Sequence, residues 1–244
     1  MSQDGVVVLI LAALNGARSA ADGPAVPLSP AALAEAAALA VAAGAGEVRV
    51  RPRTPCGRES LSPRVLGPLL AEVRAAVGVP VGVDAYAGGD RVREWTELPE
   101  VAAVDWALPG AEELAGLLLA RGVGVEAVVR TGSAGAGRFL GSPLRGRVLR
   151  VAVAVSGGDP AGAPGAARVV VDRLAAGVPG LRVLAYGVDA AAWPVLRWAA
   201  GRGLDVRAGV ADTGYLPDGR RAASNAQLVA AAAAVRDGVT AGSP

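Results

Sequence analysis

Short apolar runs rich in β-branched residues alternate along the chain with longer, alanine- and leucine-rich stretches that carry charges at helical spacing. The apolar runs predict eight strands, at Val6–Ala12, Glu47–Arg51, Pro80–Asp84, Ala102–Trp106, Val123–Val128, Val148–Val153, Leu181–Tyr186 and Asp205–Val210. The longer stretches predict eight helices, at Pro30–Ala43, Pro63–Ala76, Asp90–Glu97, Ala111–Ala120, Ala134–Leu140, Ala161–Ala176, Ala190–Gly201 and Ser224–Asp237.

Each predicted strand is followed by a helix, and the repeating unit has about 30 residues, the size of one βαβ step. Ser29-Pro30 and Ser62-Pro63 support two helix starts, because serine is a common cap and proline fits the first helical position. Eight such units predict an α/β protein with a single (β/α)8 TIM barrel, in one domain covering residues 1–244. The competing fold is an open doubly wound sheet. No Gly-x-Gly-x-x-Gly motif follows the first strand to support it.

The composition excludes several classes of site. Of the 244 residues, 52% are hydrophobic and 19% charged, enough to bury a full core. All 24 basic residues are arginine, and histidine is absent, so Schiff-base lysines, histidine bases and histidine metal ligands are excluded. Cys56 is the sole cysteine, which excludes an intrachain disulfide and a cysteine metal cluster.

Charge and hydropathy limit which partners and which cellular location we expect for the protein. The net charge is +2, aromatics make up 3% of residues, and the arginines are spread along the chain, so we expect no nucleic-acid surface. The apolar run Val6–Leu14 follows Asp4, has no basic residue before it, and is short for a membrane helix of about 20 residues. We interpret it as a buried strand and expect a cytoplasmic protein with no membrane partner.

A barrel of this kind has its site at the carboxyl ends of the strands. The second predicted strand is the most informative, because Arg49 and Arg51 alternate with Val48 and Val50. The valines suit the face covered by helices, so the arginines are predicted to point into the barrel. The candidate site residues are Asn15, Arg18, Arg49, Arg51, Asp84, Asp105, Glu126, Tyr186, Arg207 and Asp212.

Inward-pointing arginines have two interpretations, which the residues alone leave open. Asp84, Asp105 and Glu126 on neighbouring strands could pair with them in an ion network that holds the barrel mouth together. Alternatively, the planar guanidinium groups could clamp a carboxylate or a phosphate, whose geometry they match.

Several motifs, taken together, resemble one known family. They are Ala13-Leu-Asn-Gly-Ala-Arg, Pro24-Ala-Val-Pro-Leu-Ser-Pro, Gly124-Val-Glu-Ala, Arg207-Ala-Gly-Val-Ala-Asp-Thr and Asn225-Ala-Gln-Leu-Val. With them, nearly the whole chain resembles the β-keto acid cleavage enzymes, typified by 3-keto-5-aminohexanoate cleavage enzyme. The resemblance implies a (β/α)8 barrel that uses zinc to cleave a β-keto acid with acetyl-CoA, giving acetoacetate and a new acyl-CoA.

The same resemblance implies that the family's zinc ligands are replaced here. Arg49 and Arg51 stand at the positions of a His-x-His pair, and Ala211 stands at the position of a glutamate. Arginine stays protonated and cannot ligate a cation, so we expect neither zinc nor another cofactor. Tyr186 stands where similar relatives have histidine, while Glu126, Arg207 and Asp212 match polar site positions of the family.

Two functions follow as hypotheses. In the first, the protein is a metal-free enzyme for a small anionic keto acid or acyl substrate, with a CoA thioester as a candidate co-substrate. Arg49, Arg51 and Arg207 would bind anionic oxygens, and Glu126 or Asp212 would move the proton. In the second, it is a catalytically inactive pseudoenzyme that acts as a binding or scaffolding partner. In either case we expect a homo-oligomer.

Overall fold

The computed structural model describes residues 8–86 and 89–241. Within them, eight parallel strands pair in chain order, and β1 also pairs with β8, so the sheet closes into a barrel. The strands are β1 Ile10–Ala13, β2 Glu47–Val50, β3 Val81–Asp84, β4 Val101–Asp105, β5 Gly124–Arg130, β6 Arg150–Val155, β7 Val183–Gly187 and β8 Asp205–Ala208. The helices are α1 Pro30–Ala42, α2 Pro63–Ala76, α3 Gly89–Arg93, α4 Ala111–Ala120, α5 Gly135–Gly141, α6 Ala163–Gly177, α7 Ala192–Ala200 and α8 Asn225–Ala241.

This architecture confirms the predicted single (β/α)8 barrel and excludes the open doubly wound sheet. The boundaries differ in places. Residues 6 and 7 of the predicted first strand lie outside the described residues, and the sixth strand begins two residues later than predicted, at Arg150. The third helix is shorter than predicted and ends at Arg93. After it, the amides of Glu94 and Trp95 donate to carbonyls three residues back, at 3.1 and 3.3 Å, so the helical pattern of hydrogen bonds is not continued.

The two predicted helix caps have different outcomes. Ser29 caps α1, since its hydroxyl accepts a hydrogen bond from the Ala32 amide at 3.2 Å. Ser62 makes no side-chain cap bond at the start of α2, and its carbonyl instead accepts from the Leu66 amide at 2.9 Å. No helix in the described part of the chain is both long and apolar enough to cross a membrane.

The core has two layers, and the inner one leaves space for polar side chains. Between the strands and the helices lie mostly valines, leucines and alanines. Inside the barrel, a separate apolar cluster consists of Leu11, Ala13, Ala103, Val128, Ala152, Ala154, Leu184 and Tyr186. Half of these are alanines, so the interior has room for the charged residues that share the inward face of the strands.

Candidate functional site

A cavity of about 290 Å³ opens at the carboxyl ends of the strands. Four arginines line it, together with two tyrosines, one aspartate and a set of small residues. The lining residues are Ala13, Gly16, Ala17, Arg49, Val50, Arg51, Asp84, Tyr86, Arg130, Ser156, Tyr186, Val188, Arg207 and Ala211. Its position is the one that a (β/α)8 barrel gives to a ligand site.

Beneath the cavity, four buried charged side chains form an inner cluster: Glu47, Arg49, Glu126 and Arg150. Arg150 donates to both oxygens of Glu47 at 2.6 and 2.7 Å and to Glu126 Oε2 at 2.6 Å. Arg49 donates to Glu126 Oε1 at 3.1 Å and to Glu47 Oε1 at 3.3 Å. The cluster carries two positive and two negative charges, so it is neutral as a unit.

The inner cluster determines the protonation of Glu126. Burial disfavours its ionised form, but the adjacent Arg49 and Arg150 guanidiniums outweigh burial and lower its pKa from 4.5 to about 2. Each of its oxygens accepts a hydrogen bond from an arginine. Glu126 therefore has the environment of a structural counter-ion rather than that of a proton carrier.

Arg51 lies above this cluster and is held from two sides. Its Nε and NH2 donate to Asp84 Oδ2 at 3.1 and 2.9 Å, and its NH1 donates to Glu59 at 3.1 Å. Asn15 fixes the backbone of Arg51, accepting from its amide and donating to its carbonyl, both at 2.9 Å. Asn15 thus joins the ends of β1 and β2 and lies behind the cavity wall.

Arg207 and Asp212 form a buried pair at the end of β8. Arg207 Nε lies 3.1 Å from both oxygens of Asp212, and NH2 also donates to Oδ1. The Arg207 guanidinium stacks on the Tyr186 ring, with its Cζ 3.3 Å from the ring centroid. Burial raises the pKa of the Asp212 carboxyl, and the charge of Arg207 opposes part of that rise.

Arg130, at the end of β5, completes the wall. Its Nε donates to Asp105 Oδ2 at 2.6 Å, and Asp105 Oδ1 accepts from the Ala107 amide at 2.9 Å. Two guanidiniums contact the Tyr86 ring, with the Cζ atoms of Arg51 and Arg130 at 5.3 and 5.7 Å from its centroid. Such cation–π contacts hold the arginines in place without using their N–H groups.

The ten predicted site residues divide into two groups. Five line the cavity: Arg49, Arg51, Asp84, Tyr186 and Arg207. The other five support the wall from behind or at its rim: Asn15, Arg18, Asp105, Glu126 and Asp212. Arg18 lies at the rim, where it pairs with Asp189 and donates to the Asp212 carbonyl at 3.4 Å.

Four charged or aromatic residues of this region are not among the ten candidate site residues. Glu47 shares the inward face of β2 with Arg49, and the strand alternation contained that signal. Arg150 likewise shares the inward face of β6 with Ala152 and Ala154. Tyr86 and Arg130 each follow or end a strand, and sequence alone gives no sign that they stack together.

The positions that the resemblance assigns to zinc ligands do meet in space, since Arg49, Arg51 and Ala211 all line the cavity. Their side chains do not fit the metal. Two are cationic donors and the third is a methyl group, and one arginine charge about 4 Å from a dication costs roughly 8 kcal/mol at an effective dielectric near 20. Residues 8–86 and 89–241 contain no cluster of three histidine, cysteine, aspartate or glutamate side chains suited to a metal.

Comparison with solved structures finds the same barrel in other proteins. Apo ObcA superposes with a TM-score of 0.72 at 17% identity, covering 90% of this chain and 62% of ObcA. A ternary complex of ObcA with a C4-CoA adduct and oxalate gives 0.72 at 18% identity, covering 90% and 64%. Type I 3-dehydroquinate dehydratase from Clostridium difficile gives 0.61 at 10% identity, covering 95% and 93%. The present chain thus spans somewhat less than two thirds of the ObcA chain.

At the level of sequence, no curated protein matches the chain. The family model for beta-keto acid cleavage enzymes, in contrast, matches residues 7–109 and 146–241. These two segments include every strand except β5 and every helix except α4 and α5. The chain therefore belongs to the β-keto acid cleavage enzyme family.

Proposed function

We propose that the cavity binds a small anionic keto acid or acyl substrate, and that the protein carries out carbon–carbon bond or acyl-transfer chemistry on it without zinc. The observation that carries the proposal is the make-up of the wall. Among the described residues that line the cavity, four are arginines and one, Asp84, is a carboxylate. A concave site with convergent cationic donors is suited to an anion.

Some of the arginine donors are uncommitted. Arg130 NH1 and NH2 and Arg207 NH1 have no hydrogen-bond partner in the part of the chain that the structure describes. Each of these guanidiniums is held by an aspartate through its other nitrogens, so its orientation is set before a ligand arrives. Preorganised donors of this kind bind a carboxylate with little loss of side-chain entropy.

The ligands of the structural relative support the same class of substrate. ObcA has been described in complex with oxaloacetate, and with a C4-CoA adduct and oxalate. These are two small dicarboxylic acids and an adduct of CoA. The comparison extends to this chain as a proposal, since the identity is 18%.

The family resemblance implies a reaction in which negative charge develops on a carbonyl oxygen. N–H donors aimed at that oxygen stabilise the charge, and a guanidinium can do so in a site where water is scarce. Asp212 is the better candidate for moving the proton, because burial raises the pKa of its carboxyl whereas the pKa of Glu126 is lowered to about 2. A carboxylate with a raised pKa is the kind that serves as base near neutral pH.

A second function, that of a catalytically inactive binding partner, is favoured by one observation. Asp212, like Glu126, accepts arginine hydrogen bonds on both carboxylate oxygens. A proton carrier would have to release one of these bonds. Binding without turnover is the outcome that this alternative predicts.

The test compares two arginines that are alike except for their location. Arg130 and Arg182 are 37% and 52% exposed, and each pairs with a buried aspartate, at 2.6 and 2.5 Å. Arg130 lines the cavity, whereas Arg182 pairs with Asp205 at the amino end of β8. Calorimetry with acetoacetate and oxaloacetate should show binding at least about tenfold weaker in Arg130→Met, since a charge-assisted hydrogen bond contributes roughly 1.5–3 kcal/mol. Arg182→Met should bind like the wild type.

Turnover is measured separately, by mass spectrometry of acyl-CoA products from β-keto acids and acetyl-CoA in the presence of a chelator. Products that depend on Arg130 support the enzyme. Binding without products supports the binding partner. Equal weakening in Arg130→Met and Arg182→Met would contradict the proposed site.

A further inference from the structure

The uncommitted polar groups of the cavity wall carry no negative charge. Besides the free N–H groups of Arg130 and Arg207, they include the hydroxyls of Tyr86, Tyr186 and Ser156, which have no hydrogen-bond partner within the described residues. Tyr186 is buried, with 2% of its surface exposed. Burial raises the pKa of both tyrosines above 10, so both are neutral phenols at pH 7.

The carboxylates near the cavity are all engaged by arginines. Asp84 Oδ2 accepts from two nitrogens of Arg51, and its Oδ1 is enclosed by protein, 3.5 Å from Arg49 NH1. Behind the wall, Asp105 and Asp212 are paired with Arg130 and Arg207.

The carboxylates at the rim of the cavity are also paired with arginines. Glu59 pairs with Arg51 at 3.1 Å, and Asp189 pairs with Arg18. Among the described residues of the cavity and its rim, every carboxylate is thus already paired with an arginine. An ammonium group in the cavity would lie among guanidiniums, without a counter-ion and out of bulk water.

We infer that the cavity selects acids that carry a keto group, a hydroxyl group or no substituent, and rejects the corresponding amino acids. The inference rests on the proposed function, because it names the substrate class of the same site. The carboxylate of the ligand meets the free N–H donors of Arg130 and Arg207, and its keto oxygen meets a tyrosine hydroxyl. Replacing that oxygen by an ammonium group places a positive charge beside the guanidiniums and turns an attractive contact into a like-charge contact.

The inference is tested with two matched pairs of probes in calorimetry at pH 7: 3-oxoglutarate with 3-aminoglutarate, and acetoacetate with 3-aminobutanoate. Each keto acid should bind at least about 100-fold more tightly than its amino counterpart. Comparable affinities within the pairs would overturn the inference and leave the proposed function standing. Failure of both keto acids to bind would instead overturn the proposed function, and the inference with it.

A variant that supplies the missing carboxylate makes the test independent of the wild type. Ser156 lines the cavity and is exposed, so its substitution should leave the fold intact. Ser156→Asp should bring 3-aminoglutarate into the measurable range and weaken 3-oxoglutarate. The matched neutral control Ser156→Asn should keep the order expected of the wild type, with 3-oxoglutarate binding more tightly than 3-aminoglutarate. If Ser156→Asp weakens both ligands alike, charge balance does not govern selection and the inference is wrong.

Discussion

Arg49 fits inside the barrel because residue 82 on the neighbouring strand has no side chain. A Cβ at Gly82 would lie 2.6 Å from Arg49 Nε and 3.2 Å from the Val101 carbonyl oxygen. Arg49 Nε has no hydrogen-bond partner among the described residues, so packing against Gly82, rather than a bond, sets the position of this part of the side chain. The placement of one arginine thus depends on the absence of one methyl group.

Gly82→Ala should therefore destabilise the protein. Overpacking a tight interior costs typically about 1–3 kcal/mol, and here the flexible Arg49 would have to shift within the inner cluster. Gly78→Ala is the matched control, because a Cβ there meets no atom within 4 Å. Urea denaturation measures both variants; equal stability of the two would contradict the close contact.

The residues at positions 49, 51 and 211 also lead to a metal prediction. Purified protein should contain no stoichiometric zinc by elemental analysis, because guanidiniums repel the ion and Ala211 offers no ligand. The converse variant, Arg49→His with Arg51→His and Ala211→Glu, should take up zinc, since these positions line one cavity. One zinc per wild-type chain would contradict the prediction, and a triple variant without zinc would show that the three positions are not ligand positions.

At the scale of elements, the inner cluster ties together strands that are distant in sequence. Glu47 and Arg49 belong to β2, Glu126 to β5 and Arg150 to β6. These ion pairs replace the apolar packing that fills most barrels, since the alanines at 103, 152 and 154 leave space beside them. Removing one member leaves a buried charge without its partner, which typically lowers the free energy of unfolding by about 3–5 kcal/mol.

Glu126→Gln should lower the free energy of unfolding at pH 7 by about that amount. Its free energy of unfolding should also fall less steeply than that of the wild type as the pH is lowered from 4.5 toward 2. The pKa of Glu126 is about 2 in the folded protein and about 4.5 when unperturbed, so its contribution is complete above pH 4.5 and is lost as the pH falls toward 2. Urea denaturation between pH 7 and pH 2 measures both effects. If the free energy of unfolding of variant and wild type changed in parallel with pH, Glu126 would not be the carboxylate with the lowered pKa.

Glu59→Gln at the half-exposed rim is the control, and should change the free energy of unfolding by less than about 1 kcal/mol.

At the scale of the whole molecule, the barrel was predictable and much of its interior was not. Short apolar runs followed by longer stretches with helical spacing give the order and approximate position of the eight strands and eight helices, because a parallel sheet covered by helices buries both faces of its strands. The inward direction of Arg49 and Arg51 follows from the same rule. Asp84, Asp105 and Glu126 were candidate partners of the strand-two arginines in one of the two interpretations, and Asp84 and Glu126 do pair with them.

The remaining contacts depend on distances that the sequence does not contain. Asp105 pairs with Arg130 rather than with Arg49 or Arg51. Glu47 and Arg150 are 103 residues apart and meet because barrel closure brings β2 and β6 to face each other across the interior. The expected homo-oligomer stays a prediction, which sedimentation velocity would test: a single monomeric species would contradict it.

The central claim, that an arginine-lined cavity binds a small keto acid without metal, is tested most directly by calorimetric titration of the chelator-treated wild-type protein with oxaloacetate. We expect one site per chain, with the same dissociation constant before and after chelation. Absence of binding, or binding that chelation abolishes and added zinc restores, would contradict it.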